Sequence, residues 1–156
     1  TIIGFESGNN WLANNKFAGI DFVPEPADTR KEGQYINRSD DRQAKQIPGS
    51  IFETKLDLTH PLCFGFTRDR LPVFKSTTSV AKNDQDIYSN PIKYSDNPLL
   101  SGYCTPANID RIKGSPFASV HGTRIISLYD NTNFRAAWYG TNKIFLNAVF
   151  FGQILR

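Results

Sequence analysis

The chain has 156 residues, 39% of them hydrophobic and 13% aromatic, enough to bury one sizeable core and short enough to be one domain. Its 18 basic and 15 acidic residues leave a formal charge of +3 but are scattered, with no Lys/Arg run to track a phosphate backbone, which argues against nucleic acid as a partner. The two cysteines, Cys63 and Cys104, are too few for a disulfide framework and lack C-x-x-C spacing, so they assign neither compartment nor zinc or redox chemistry.

Thr1-Ile2-Ile3-Gly4-Phe5 reads as a buried strand with no turn or cap before it. With no methionine anywhere, this start suggests a piece of a longer protein. Glu6-Ser7-Gly8-Asn9-Asn10 is a turn, and residues 11–17 predict a short helix, making a strand-turn-helix unit. Residues 24–46 are polar, of mixed charge, and contain Pro24, Pro26 and Gly33, the pattern of a long solvated excursion. Over residues 50–58, Phe52, Thr54, Leu56 and Leu58 alternate with Glu53, Lys55 and Asp57, predicting a half-exposed strand. Leu71-Pro72-Val73-Phe74 predicts a second strand, placed at a sheet edge by its proline.

Residues 80–103 are broken by Pro91 and Pro98 and read as loop, with short extended pieces around Ile92 and Leu99. Residues 108–112 predict one helical turn ended by Gly114. Residues 117–120 and 124–129 then form two strands around a tight His121-Gly122-Thr123 hairpin. Last comes an apolar helix over residues 144–151, capped by Thr141, with Asn147 its only polar residue. Apolar on nearly every face, it should be buried between a sheet and something else, and it is too short to span a membrane. The order of elements, without internal repeat, fits an α/β sheet covered by helices, with a purely antiparallel domain as the alternative.

Three segments carry more than a fold pattern: Ile47-Pro48-Gly49-Ser50-Ile51-Phe52-Glu53, Asp57-Leu58-Thr59-His60-Pro61-Leu62, and Tyr139-Gly140-Thr141 followed by Asn147-Ala148-Val149-Phe150-Phe151. The chain resembles, over essentially its whole length, the class I glutamine-amidotransferase-like domain at the C-terminus of a group of large bacterial zinc carboxypeptidase-like proteins. That resemblance implies a flavodoxin-like three-layer α/β sandwich lacking its N-terminal strands in this fragment. It implies a zinc-bearing peptidase domain as intramolecular partner and a periplasmic or secreted parent protein. A sheet edge exposed by absent strands would also favour a homo-oligomer.

Zinc peptidases need closely spaced His and Glu ligands, and neither His60 nor His121 has a carboxylate at that spacing. An active amidotransferase of the resembled fold would place a cysteine at a strand-to-helix elbow and pair it with a downstream His-x-Glu. Here the elbow reads Gly4-Phe5-Glu6-Ser7-Gly8 and His121 is followed by Gly122-Thr123, so the active site is expected to be lost and the domain to be a non-catalytic accessory. The rival is a residual hydrolase using Ser7 or Cys104 with His121. Their plainer readings are a turn or cap residue for Ser7 and a buried, unreactive thiol for Cys104. Glu6 reads as functional in a related elbow or, more plainly, as a solvated or capping glutamate. Cys63 reads as core packing, and His60 as a backbone partner at a strand end. The pairs Asp84/Asp86 and Asp40/Asp41 have too few ligands for calcium and read as solvated loops. Trp11, Tyr35, Tyr88, Tyr94, Tyr103 and Trp138 keep a carbohydrate-binding module open without forming a strip. Arg135, before the last helix, reads as a docking residue or the partner of a carboxylate at a domain interface.

Overall fold

The computed structural model describes residues 1–25, 33–122 and 124–155. Among them, one mixed sheet in the order β1-β6-β5-β4-β2-β3 is accompanied by four α-helices, an α/β architecture. Parallel pairing among the described strands is confined to β1 (Ile2–Phe5) and β6 (Ile125–Leu128), in register Ile2↔Ile125 to Phe5↔Leu128. The remaining pairs are antiparallel. β1 is an edge strand whose Ile2 is 45% exposed, not the fully buried strand its composition suggests. A run that is apolar on both faces does not say whether a neighbour lies on each side. Helix α1 (Gly8–Asn14) follows at once and covers one sheet face through Asn9 and Leu12.

The polar stretch before β2 contains a helix that its composition hides, α2 (Arg38–Lys45), while residues 26–32 of that excursion lie outside the described part. None of its residues is buried, so it has no apolar stripe to find. Asp40 and Asp41 in its first turn and Arg42 and Lys45 in its last suit the helix dipole. β2 (Ser50–Leu56) buries Phe52, Thr54 and Leu56 as the alternation predicts, and Leu58, beyond its end, is exposed. β3 (Arg70–Lys75) is an edge strand with Pro72 within it, as predicted.

The short extended pieces expected around Ile92 and Leu99, with loop between them, are instead one long strand, β4 (Ile92–Ser101). Against β2 its register jumps from Thr54↔Tyr94 to Phe52↔Leu99, leaving Pro98 in a bulge where no ladder N–H is needed. Helix α3 (Pro106–Ile112) begins earlier than the predicted turn: Thr105 Oγ1 accepts from the Asn108 N–H, and Pro106 occupies the first turn. β5 (Pro116–His121) and β6 form the expected hairpin, with Gly122 at φ 57°; Thr123 lies outside the described residues.

Helix α4 (Tyr139–Phe151) buries Thr141, Ile144, Asn147 and Ala148 on one face, while Phe150 is 78% exposed on the other. The helix is covered on one side only, correcting the expectation of all-round burial. The N-cap is Trp138; Thr141 lies inside the helix, its hydroxyl near the Thr132 and Trp138 carbonyls at 2.6 and 3.1 Å. Asn147 is the helix's internal tie: its amide donates to the Leu62 and Phe64 carbonyls at 2.9 Å each, fixing α4 to the β2–β3 connection.

The sheet is strongly curled. β3 and β6 are four strand spacings apart in its order, about 19 Å if it were flat. Yet Lys75 Nζ, at the end of β3, lies 3.0 Å from an Asp130 carboxylate oxygen just past β6. Inside the curl, Phe52, Val73, Ile92, Phe117 and Leu128 belong to the same apolar cluster as Ile144 and Ala148 of α4. A smaller cluster of Leu12, Ile20, Ala81, Ile125 and Tyr129 lies beneath α1. None of the described helices is long and apolar enough to cross a membrane.

Candidate functional site

The strand-turn-helix at the start of the chain makes a tight elbow. Glu6, directly after β1, has φ 44°, a left-handed conformation that side chains other than glycine adopt at a cost. Its N–H donates to the Leu128 carbonyl at 3.0 Å, holding it to the end of β6. Asn9, fully buried, braces the turn by donating its side-chain amide to the Leu128 carbonyl at 2.8 Å and the Glu6 carbonyl at 3.2 Å. Gly4 makes room for that brace: a Cβ there would lie 2.2 Å from Asn9 Oδ1.

The elbow opens on a cleft of about 520 Å³ at the C-terminal ends of β1, β6 and β3. In sheets with parallel pairs this is the side on which ligands bind. Glu6, Ser7 and Asn10 form one wall, and the hydroxyl-bearing run Ser76-Thr77-Thr78-Ser79 forms another. Among the described residues, the Glu6 carboxylate has no hydrogen-bond or ion-pair partner.

Behind the hydroxyl wall lies a closed polar cluster. Lys75 and Asp130 have side chains only 1% exposed. Lys75 Nζ donates to Asp130, to the Ser79 carbonyl at 2.8 Å and to Thr77 Oγ1 at 3.2 Å. Asp130 also accepts from Tyr94 OH at 2.6 Å and Thr77 Oγ1 at 3.0 Å. Burial, reinforced by the Asp130 charge, holds the Tyr94 phenol well above its ordinary range, so it remains a donor. The cluster is satisfied internally and presents no free charge to the cleft.

Of the residues singled out from sequence, Ser7 reaches the cleft wall. It occupies the N-cap position of α1 but makes no side-chain capping bond. His121 is engaged elsewhere, with Nδ1 3.1 Å from Asp84 Oδ2 and Nε2 3.3 Å from Tyr129 OH. In the neutral tautomer that fits both contacts, Nδ1–H donates to the carboxylate and Nε2 accepts from the phenol. Burial raises the Tyr129 pKa, keeping that phenol protonated. Asp84 is therefore a histidine partner rather than a solvated loop residue, and Asp40 and Asp41 lie on α2.

Cys104 is buried, and desolvation pushes its thiol pKa up despite Lys75 and Arg111 nearby. Cys63 is buried too, its thiol pushed up to about 12 by burial and the Asp57 charge. Neither has the depressed pKa of an activated nucleophile. His60 Nδ1 accepts from the Leu62 N–H at 3.2 Å, the backbone role expected of it, and burial lowers its pKa. Among the described residues no three His, Cys, Asp or Glu side chains are grouped to hold a metal ion.

Of the aromatic candidates, Tyr94 is buried, Trp11 stacks on Phe17 at 5.2 Å, and the Trp138 indole donates to the Pro72 carbonyl at 3.3 Å. The Arg135 guanidinium sits over the Phe134 ring at 5.1 Å.

The sequence reading missed Asn9, Lys75 and Asp130. A signal existed for two of them: Lys75 continues the inward alternation of Leu71 and Val73, and Asp130 that of Ile126 and Leu128. A charge at an inward-facing strand position calls for a partner. No protein-family model, curated protein or solved structure matches this chain.

Proposed function

We propose that this chain is a non-catalytic accessory domain of a zinc carboxypeptidase-like protein, derived from a class I glutamine-amidotransferase-like, flavodoxin-like domain whose active site has been lost. The observation that carries the reading is the strained elbow after β1, where Glu6 stands in the left-handed position and no thiol is present. Both cysteines are buried with raised pKa values, and both His121 nitrogens are engaged. The segments that carry the resemblance also pack together: the α4 residue Asn147 bonds Leu62, and Ala148 shares its apolar cluster with Phe52 of β2.

On this reading the flavodoxin-like part is β1, α1 and β6, where helices α1 and α4 flank the parallel pair. The peptidase domain holds the zinc, the parent is periplasmic or secreted, and the exposed outer face of α4 and edge strand β1 are where the rest of the parent or a second copy would pack. The test is hydrolysis of amide and ester reporters by the purified chain with and without chelator. No turnover is expected. Turnover abolished by Ser7→Ala or Cys104→Ser would overturn the proposal in favour of a residual hydrolase.

A further inference from the structure

We infer that the cleft at the elbow is a binding site for an amino sugar, with the Glu6 carboxylate gripping the ammonium and Ser76, Thr78 and Ser79 of the hydroxyl wall bonding the sugar hydroxyls. Glu6 is presented, not merely exposed. Gly4, Asn9 and the Leu128 carbonyl together hold its backbone in a strained conformation at the mouth of the cleft. Strain maintained by a dedicated brace, around a side chain with no partner among the described residues, marks a position kept for a ligand.

The chemistry of the ligand follows from the lining. Among the described residues no lysine or arginine side chain lines the cleft, and Lys75 behind it is already neutralised by Asp130. A phosphate or carboxylate would therefore meet Glu6 with no compensating cation among the described residues. Thr78, on the hydroxyl wall, donates to Glu25 at 3.0 Å, which adds a second carboxylate near the rim. A cation is favoured; Ser76 and Ser79 each offer a hydroxyl donor and acceptor to a polyhydroxylated ring and Thr78 Oγ1, its proton given to Glu25, an acceptor, while Thr77 is taken up by Lys75 and Asp130. The volume of about 520 Å³ is in the range of small-molecule sites.

The same ammonium could be carried by a peptide N-terminus, which lacks the ring hydroxyls. The inference rests on reading Glu6 as a binding group and not a reacting one, and it can fail separately. Reporter turnover sinks the accessory-domain proposal whether or not a sugar binds, whereas absent binding with absent turnover sinks only the amino-sugar site.

The experiment is an NMR titration of the chain with D-glucosamine, N-acetyl-D-glucosamine and L-alaninamide, repeated on Glu6→Gln with its melting temperature checked. Glucosamine should shift resonances of Glu6, Ser7 and Thr78. It should bind about tenfold tighter than its uncharged N-acetyl form, the worth of one charge-assisted hydrogen bond. Glu6→Gln should erase that preference. Equal binding of the charged and acetylated sugars, or no shift with any of the three, would overturn the inference. Alaninamide binding as tightly as glucosamine would overturn the sugar assignment. The wild-type comparison stands on its own if the variant is poorly folded.

Discussion

Two polar constructions sit at the same end of the sheet and handle charge in opposite ways. In the seam between β3 and β6, Lys75 and Asp130 are sealed from water and saturated by Thr77, Ser79 and Tyr94. At the elbow after β1, the brace is buried and satisfies backbone carbonyls, while the carboxylate it supports faces an open cleft. The seam uses charge to close the curl of the sheet, because a buried ion is tolerated only with its partners in place. The elbow stores conformational strain to aim a charge that has no partner among the described residues. Burial with full pairing reads as architecture, and strain with an unpaired group reads as a site.

The strongest way to break this contrast is at the seam. Lys75→Met should strand the Asp130 carboxylate and cost about 3–5 kcal/mol of stability in urea unfolding. The double variant Lys75→Met/Asp130→Leu should recover much of that loss. A single variant as stable as wild type would mean that the pair does not close the curl.

At the elbow the brace should matter less. Asn9→Ala removes one buried and one partly buried bond to backbone carbonyls and should cost about 1–3 kcal/mol by the same measurement. Glu6→Gly sharpens the comparison most, because its sign is reversed. Glycine adopts the left-handed conformation without strain, so the variant should gain about 1 kcal/mol while losing the glucosamine preference. A loss of stability would show that the Glu6 side chain contributes packing beyond the strain it relieves.

The smallest effect concerns His60, which lies outside both constructions and is a control for pH. Burial lowers its folded pKa, so below its unfolded value of about 6.5 the unfolded chain binds more protons. Its contribution is present above that value and is lost as pH falls through it towards the folded pKa. Between pH 7 and 5 the wild type should therefore lose more stability than His60→Asn, in which an amide oxygen can still accept from the Leu62 N–H. Parallel losses would remove His60 from the acid response.

Much of this molecule was legible where a pattern is local. Alternation located β2 with its buried Phe52, Thr54 and Leu56, Pro72 placed β3 at an edge, and His121-Gly122 marked the β5–β6 hairpin. It was not legible where a signal is overridden or silent. Pro98 broke the reading of β4 because a proline inside a strand argues against it unless a bulge absorbs the missing N–H, and bulges are set by the partner strand. Helix α2 buries nothing, so no periodicity announced it. Of the candidate residues, Ser7 reached the cleft, whereas Cys104 and His121 were drawn into separate surroundings by contacts that no spacing encodes.

The sequence by itself determined α1, β2, β3, the β5–β6 hairpin and α4 as elements and the composition of the elbow, because these follow from local side-chain periodicity and from what a turn of a few residues permits. Only the tertiary structure decided that the sheet curls until β3 meets the end of β6, that α4 is covered on one face, and that Glu6 stands braced at a cleft. Each of these joins residues far apart in the chain, Lys75 to Asp130, Leu62 to Asn147 and Asn9 to Leu128. Such contacts depend on strand order and sheet curvature, quantities that emerge from packing the whole core and are written in no single segment.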